Sequence, residues 1–354
     1  MRMRSFDVCQ CSAPLQMNER EAPSPRGSEV LLKILASGVC HSDLHIWDGY
    51  YEIGGGKRLM LVERGIKLPL TMGHENVGEV VAFGPDARGV KVGDMRLVNP
   101  WMGCGECKVC KRGDENLCTK SRNLGVFSNG GYATHLLIPH PRYLFDIGVV
   151  PPEQAAPLAC SGVTAFSALK KIDPATLKAE AVVIIGAGGV GLMGVTLAKK
   201  LGASKVVIVD IDPVKREAGL EAGASVSIDG AAADAVKQVQ DSTGGGAWSV
   251  VDFVGSGATV KLAVDSLIKG GTAIVVGLFG GDITLPTPYI PMRAMALRGS
   301  YVGSQTDMAE LLDLVKRSGM PSVPIRTRRL DEVNAALNDL RAGKVIGRVV
   351  LTPH

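Results

Sequence analysis

From residue 181 onward the chain keeps a rhythm that few folds can accommodate. Apolar, β-branched runs at 181–185, 205–209, 226–228, 250–254 and 273–276 alternate with helical stretches at 190–201, 213–222, 231–241 and 258–269. A repeat of roughly 20 to 25 residues is the length of a βαβ unit, whose strands are buried on both faces and read as unbroken apolar runs. A sixth run at 297–302 would close the sheet. Two further helices, at 308–316 and 331–342, precede a short strand at 348–351.

The first strand runs into Gly186-Ala187-Gly188-Gly189-Val190-Gly191, a G-x-G-x-x-G that opens a helix, and the next strand leads to Asp210 about 20 residues on. With 44 glycines in the chain the pattern alone says little. The strand before it, the helix behind it and the acid after it give it meaning, as in a Rossmann dinucleotide site. Gly186 permits the tight turn, Gly188 lets backbone approach a pyrophosphate, and Gly191 lets the helix pack on the strand. The phosphates would sit at the helix N-terminus, over Gly189 and Val190, where free N–H groups favour an anion. Asp210 would accept from the adenosine ribose hydroxyls and, with Asp212, repel a 2′-phosphate, which favours NAD over NADP. Lys215 and Arg216 temper that preference. The alternative is a glycine-rich packing turn with no ligand.

Residues 1 to about 155 are different in style. Short extended runs such as 30–36 and 77–83 are punctuated by Gly84-Pro85, Lys91-Val92-Gly93-Asp94 and Asn129-Gly130-Gly131, the turn chemistry of an irregular β domain. Residues 54–67 read as a surface loop or short helix. The length of 354 residues suits two domains rather than one core. A net charge of +4 is too weak for a nucleic-acid or membrane-surface binder, and no apolar run approaches a bilayer span. The basic Met1-Arg2-Met3-Arg4 start leads into no apolar stretch, so a cytoplasmic protein is expected.

Eight cysteines in such a setting read as thiolates rather than disulfides. Cys104-x2-Cys107-x2-Cys110-x7-Cys118 is the strongest local signal, because four thiolates on one loop can close a tetrahedral shell around Zn2+ and leave no position open for substrate. That makes a structural ion the expectation. The alternatives are a loop of unliganded thiols or a zinc-ribbon nucleic-acid module, the latter disfavoured by the charge. A second set is scattered: Cys40, His74 with Glu75, and Cys160. Each alone is unremarkable. Together they supply two thiolates and an imidazole, the donors of a catalytic zinc with its fourth position open, able to act as a Lewis acid on a hydroxyl. Cys9 and Cys11 belong to neither set and read as side chains on a first β-strand, while His135 and His140 read as structural.

The whole chain resembles the zinc-containing medium-chain dehydrogenases, most closely their tetrameric prokaryotic NAD-dependent alcohol dehydrogenases. The matching segments are Gly38-Val39-Cys40-His41-Ser42-Asp43, Gly73-His74-Glu75-x-x-Gly78, the four-cysteine loop, Leu158-Ala159-Cys160-Ser161-Gly162-Val163-Thr164 and Gly186 to Gly191. The resemblance implies a GroES-like catalytic domain at 1–157, an inserted Rossmann domain at 158–298 and a return to the first domain at 299–354. It implies two zinc ions per chain, with Glu75 beside the catalytic ion as a support or transient ligand and Asp43 orienting His74 through its second ring nitrogen. Ser42 would take the alcohol proton and pass it, by way of the nicotinamide ribose, to His45. A helix N-cap is the plain alternative for Ser42 and a solvated helix face for His45. His41 and Arg348 would approach the cofactor phosphates; Thr164, Val254, Val276 and Leu278 would line the nicotinamide pocket; and Trp101, Asn123 and Leu278 would shape the substrate cleft.

The expected activity is interconversion of primary or secondary alcohols with aldehydes or ketones, in a homo-oligomer, tetramer or dimer, with no nucleic-acid or membrane partner. A polyol or sugar-alcohol dehydrogenase is the nearest rival. Those relatives often replace the third ligand cysteine with Glu, whereas this chain keeps Cys160. A non-catalytic dinucleotide-binding relative would be expected to lose Cys40, His74 or Cys160, and none is lost.

Overall fold

The computed structural model describes residues 1–353. Six parallel strands stand in the order Val226–Asp229, Lys205–Asp210, Ala181–Ile185, Ala247–Asp252, Leu267–Val275, Ala296–Gly299. Chain order runs outward in one direction from Ala181–Ile185 and then restarts on its other side, so the crevice of a doubly wound sheet opens beyond the carboxyl ends of Ala181–Ile185 and Ala247–Asp252. Both faces are covered. Val182, Ile184, Val206 and Ile208 pack into one apolar core with the helices Ser161–Leu169 and Gly189–Lys200, while Val183, Ile185, Val207 and Val209 enter another with Val239, Ala263 and Val264. Alternate residues of one strand therefore serve two cores, which is why the runs lack polar interruptions.

Element ends differ from the sequence pattern for local reasons. The run at 250–254 leaves the strand at Asp252, whose Oδ1 accepts the N–H groups of Val254 at 2.8 Å and Gly255 at 3.0 Å and turns the chain. The helix expected to 269 ends at Asp265, and Lys269 belongs to the following strand. The sixth run stops at Gly299, short of Val302. Residues 54–67, read as a loop or short helix, contain the strand Arg58–Met60 paired with Tyr50–Glu52 and a single 3-10 turn at Val62–Arg64. The first strand ends at Val8, so Cys9 and Cys11 sit in the bend after it and not in the strand.

The first part of the chain builds a sheet in the order Leu144–Asp146, Met95–Val98, Glu75–Phe83, Val30–Val39, Arg348–Thr352, Ile325–Arg329, with His135–Ile138 also paired to Val30–Val39. A smaller sheet of Gln16–Glu21, Arg2–Val8 and Leu70–Thr71 flanks it. The strand Arg348–Thr352 lies inside the sheet next to its edge strand, antiparallel to Val30–Val39 and parallel to Ile325–Arg329, so late residues complete an early sheet. Two irregularities in the pairing of Val30–Val39 with Glu75–Phe83 bring Gly38 opposite Glu75. That register sets Cys40, just past one strand, beside His74, just before the other. Among the described residues no helix is long and apolar enough to cross a membrane.

Candidate active site

A cavity of about 450 Å3 lies between the two sheets, at the carboxyl ends of Ala181–Ile185 and Ala247–Asp252. The helix His41–Asp48 forms one wall. Its N-cap is Cys40, whose backbone N–H donates to Asp43 Oδ2 at 2.9 Å, and Gly49 ends it in a left-handed conformation at φ +82°. Leu44, Ile46 and Trp47 are buried, which turns His41, Ser42 and His45 toward the cavity. Ser42 is thus not the helix cap; it lies inside the first turn.

At the foot of the cavity Cys40, His74, Glu75 and Cys160 offer ligand atoms all within 4.8 Å of one another, and all four residues are buried. The Cys40 and Cys160 sulfurs are 3.9 Å apart, close to the roughly 3.8 Å that tetrahedral Zn–S bonds of about 2.3 Å require. His74 Nδ1 is engaged by Asp43 Oδ1 at 3.0 Å, and its Nε2 is buried with no hydrogen-bond partner. A fully buried ring nitrogen left unpaired beside two thiols is the expected sign of a metal ligand. The donors present fit zinc. Asp43 is held in turn by Tyr132, whose hydroxyl donates to Oδ2 at 2.7 Å.

The electrostatics follow from burial and pairing. The Cys160 hydrogen bond holds the Cys40 thiol well below its ordinary range despite burial, and Cys160 is pushed well above in exchange. Burial works to lower the His74 pKa, but the Asp43 carboxylate overrides it and holds the imidazole well above its ordinary value. Glu75 is pushed up to about 7 by burial, with Arg348 opposing. Its Oε2 pairs with the Arg348 guanidinium and its Oε1 accepts the Ser161 N–H at 3.2 Å. Burial lowers the pKa of His45, helped by the charge of His41, which favours its neutral imidazole.

At the other end Gly186 turns at φ +92°, and a Cβ on Gly191 would stand 1.7 Å from the Gly186 carbonyl, so no larger residue fits there. The space a Cβ would take at Gly188 is open. Gly186, Gly188, Gly189, Val190 and Gly191 all line the cavity, as do Asp210 and Lys215. Asp210 also braces the turn: its Oδ2 accepts the Ala187 N–H at 2.6 Å. Arg216 is otherwise engaged, donating to the Asp210 carbonyl at 2.9 Å and lying 3.4 Å from Asp229 Oδ1. Arg348 reaches the cavity beside Gly189 while it pairs with Glu75, and so touches both ends of the site.

His41, Thr164, Val254, Val276, Leu278 and Trp101 line the same cavity, and Thr164 Oγ1 is buried without a partner. Trp101 lies tilted over His74, its ring centroid 5.6 Å away. Asn123 is not brought there. It is buried behind the wall, where its side-chain oxygen accepts the Met102 N–H at 3.0 Å and its carbonyl accepts from Phe127, so it braces a turn. Tyr51, Tyr301 and Val302 line the cavity without having been marked in the sequence. Tyr301 and Val302 could have been found, because ligands of such sheets sit beyond the carboxyl ends of strands and both residues follow the last one.

Outside the cavity, the cysteine loop gathers its sulfurs at 3.4 Å (Cys107 to Cys110), 3.8 Å (Cys107 to Cys118) and 3.9 Å (Cys104 to Cys110). These distances also fit a tetrahedral zinc shell. Cys118 Sγ further accepts the N–H groups of Cys104 and Lys120, both at 3.3 Å.

Sequence and structure comparisons agree with this geometry. Residues 26–148 match the alcohol dehydrogenase GroES-like domain and residues 189–317 match the zinc-binding dehydrogenase domain. The chain is 36% identical to the NAD-dependent alcohol dehydrogenase of Sulfurisphaera tokodaii, over 99% of this chain and 100% of that protein. Among solved structures, the alcohol dehydrogenase of the hyperthermophilic archaeon Aeropyrum pernix superposes with a TM-score of 0.89 at 32% identity, covering 99% of this chain and 100% of that one. The D-arabinose dehydrogenase of Sulfolobus solfataricus gives 0.84 at 26% identity with full coverage of both. A GroES-like unit joined to a Rossmann unit around a metal-ligand cluster defines a medium-chain dehydrogenase. The chain belongs to the zinc-binding alcohol dehydrogenase family.

Proposed function

We propose that this protein is a zinc-dependent, NAD-linked alcohol dehydrogenase that interconverts primary or secondary alcohols with aldehydes or ketones. One observation carries the reading: a buried three-ligand metal set and a glycine turn at a helix N-terminus share a single cavity. When bound there, zinc supplies Lewis acidity at the alcohol oxygen and NAD supplies the hydride acceptor. Cys40, His74 and Cys160 would hold the metal, with Glu75 beside it and Asp43 fixing the His74 ring. Gly186 to Gly191, His41 and Arg348 would receive the pyrophosphate, Asp210 and Lys215 would face the adenosine ribose, and Thr164, Val254, Val276 and Leu278 would position the nicotinamide. Ser42 Oγ would accept the alcohol proton, and His45, its neutral imidazole favoured by burial, would release it to solvent.

The finer assignments belong to the same proposal. The cysteine loop would hold a second, structural zinc, which would give two ions per chain. Residues 1–157 and 299–354 form the catalytic unit around a nucleotide-binding unit at 158–298. Eight free thiols support a cytoplasmic location. A homo-oligomer is supported by the edge strand Ala296–Gly299 and by the exposure of Leu297 on it and of Tyr289, Ile290 and Met292 in the helix before it. The likeness to a D-arabinose dehydrogenase keeps a hydroxyl-rich substrate as the second reading. The test is a screen of simple alcohols and polyols with NAD, followed through the absorbance of the reduced cofactor. Turnover of simple alcohols is expected; turnover confined to polyols would move the assignment to the second reading.

A further inference from the structure

The turn after the last strand of the parallel sheet is under strain. Val302, β-branched and buried, stands at φ +40°, in the left-handed region that such residues avoid. Strain of this kind persists only where the surroundings hold it. On one side Gly303 lies so close to the helix Ser161–Leu169 that a Cβ would come within 2.5 Å of Val163 Cγ2. On the other side the contacts come from the cysteine loop. Asn116 Nδ2 donates to the Tyr301 carbonyl at 2.9 Å, and Gln305 Nε2 donates to Glu115 Oε1 at 3.2 Å. Glu115 and Asn116 sit on the 3-10 turn Glu115–Leu117, immediately before Cys118, and Glu115 Oε2 is anchored by the Gly103 N–H at 3.1 Å and the Tyr143 hydroxyl at 3.1 Å. The strained turn carries Tyr301 into the cavity, where its ring meets Trp101 edge-on at 6.3 Å, and Trp101 in turn lies over His74.

We propose that the four-cysteine loop sets substrate discrimination, because through Asn116 and Glu115 it clamps the Tyr301–Val302 turn and fixes the Tyr301 ring as a wall of the substrate cleft. This rests on the cavity being the substrate site, as argued above. Neither Asn116 nor Glu115 is among the residues that line the cavity. They are positioning residues: Asn116 acts through the Tyr301 carbonyl, and Glu115 through Gln305 just beyond the turn.

The test uses the zinc-loaded enzyme and the variants Asn116→Ala and Asn116→Asp, both of which remove the donor to Tyr301. The quantities read are the ratio of kcat/KM for benzyl alcohol over ethanol, and the near-ultraviolet circular dichroism of the aromatic side chains without any alcohol. The ratio is expected to shift by about five- to tenfold, chiefly through KM, with an altered dichroism and unchanged zinc content. Val302→Gly removes the strain, so adding Asn116→Ala to it should move the ratio by less than about twofold. An unchanged ratio and dichroism in the Asn116 variants, where Tyr301→Ala does change the ratio, overturns the clamp and leaves the cleft assignment standing. An unchanged ratio in Tyr301→Ala as well takes down both. A ratio that moves only in step with lost zinc also overturns the clamp.

Discussion

The molecule gathers clusters of candidate metal ligands twice, by opposite routes. The loop set, Cys104, Cys107, Cys110 and Cys118, lies within one short segment, and its sulfurs are brought together by turns. Backbone N–H groups of Glu106 and Cys107 pull the Cys104 thiol down to about 6, while burial pushes Cys110 up to about 12. The cleft set is assembled across the fold: Cys40 and Cys160 are 120 residues apart, and all three ligands are buried. Their meeting depends on sheet register, on the cap of the helix His41–Asp48 and on the carboxylate of Asp43. A local set needs only a chain that turns tightly; a distributed one needs the tertiary structure to be right first. The distributed set lines the cavity between the two sheets, and none of the four loop cysteines does.

Substituting each set should therefore damage different properties. Cys40→Ser should lower kcat/KM by about 10³-fold, the equivalent of roughly 4 kcal/mol of lost charge stabilisation, with a small change in Tm and with one zinc per chain remaining. Cys107→Ser should do the reverse: a marked fall in Tm with a smaller loss of kcat/KM, read by calorimetry and elemental analysis. Similar stability losses from both would erase the distinction drawn here. At the next level, Asp43→Asn should weaken retention of the cleft zinc by about 10- to 100-fold in a chelator competition. Tyr132→Phe should do so by less, because Asp43 keeps the Cys40 N–H and His74; cobalt substitution would report both through its visible spectrum.

Cofactor choice comes next in size. Asp210→Gly should narrow the preference for NAD over NADP by about tenfold, the value of a charge-assisted hydrogen bond; unchanged discrimination would remove Asp210 as the selector. The finest distinction is in pH, where the slopes to be told apart differ by one proton. Thiol ligands must be ionised to bind metal, so zinc affinity of the loop falls as the pH falls. Cys104, held near 6, is already ionised at pH 7 and loses that state only as the pH drops through about 6. Between pH 7 and 8 the logarithm of loop affinity should rise with a slope below four protons per unit. A slope of four would show that Cys104 titrates like an ordinary thiol.

Legibility in the sequence tracks the same contrast. The parallel sheet was readable because each buried strand is a continuous apolar run and each helix follows at a regular distance. The cysteine loop was readable because its geometry is written in consecutive spacings. The cleft set showed only as separate unremarkable residues until their order matched a known family, because register across a sheet leaves no mark in local spacing. Residues whose roles depend on three-dimensional approach were missed or misplaced. Tyr132 carried no signal because its partner Asp43 is 89 residues away. Asn123 was assigned to the cleft, yet its amide is consumed by backbone in the wall behind. Tyr301 depends on where a strand ends, and that end shifted by three residues from the expected one, from 302 to Gly299.

The strand Arg348–Thr352 has a consequence for how the protein comes into being. Its neighbour Val30–Val39 leaves the ribosome early, and the Glu75 carboxylate waits for a guanidinium 273 residues further along the chain. During synthesis the central sheet thus has a missing member while the six parallel strands emerge and pair. The nucleotide-binding sheet can be complete when the metal-binding one is still open. The candidate metal ligands Cys40, His74 and Cys160 all precede the six parallel strands in the chain, so what arrives last is Arg348, which pairs with Glu75 and lies beside Gly189 and so joins the two halves of the cavity.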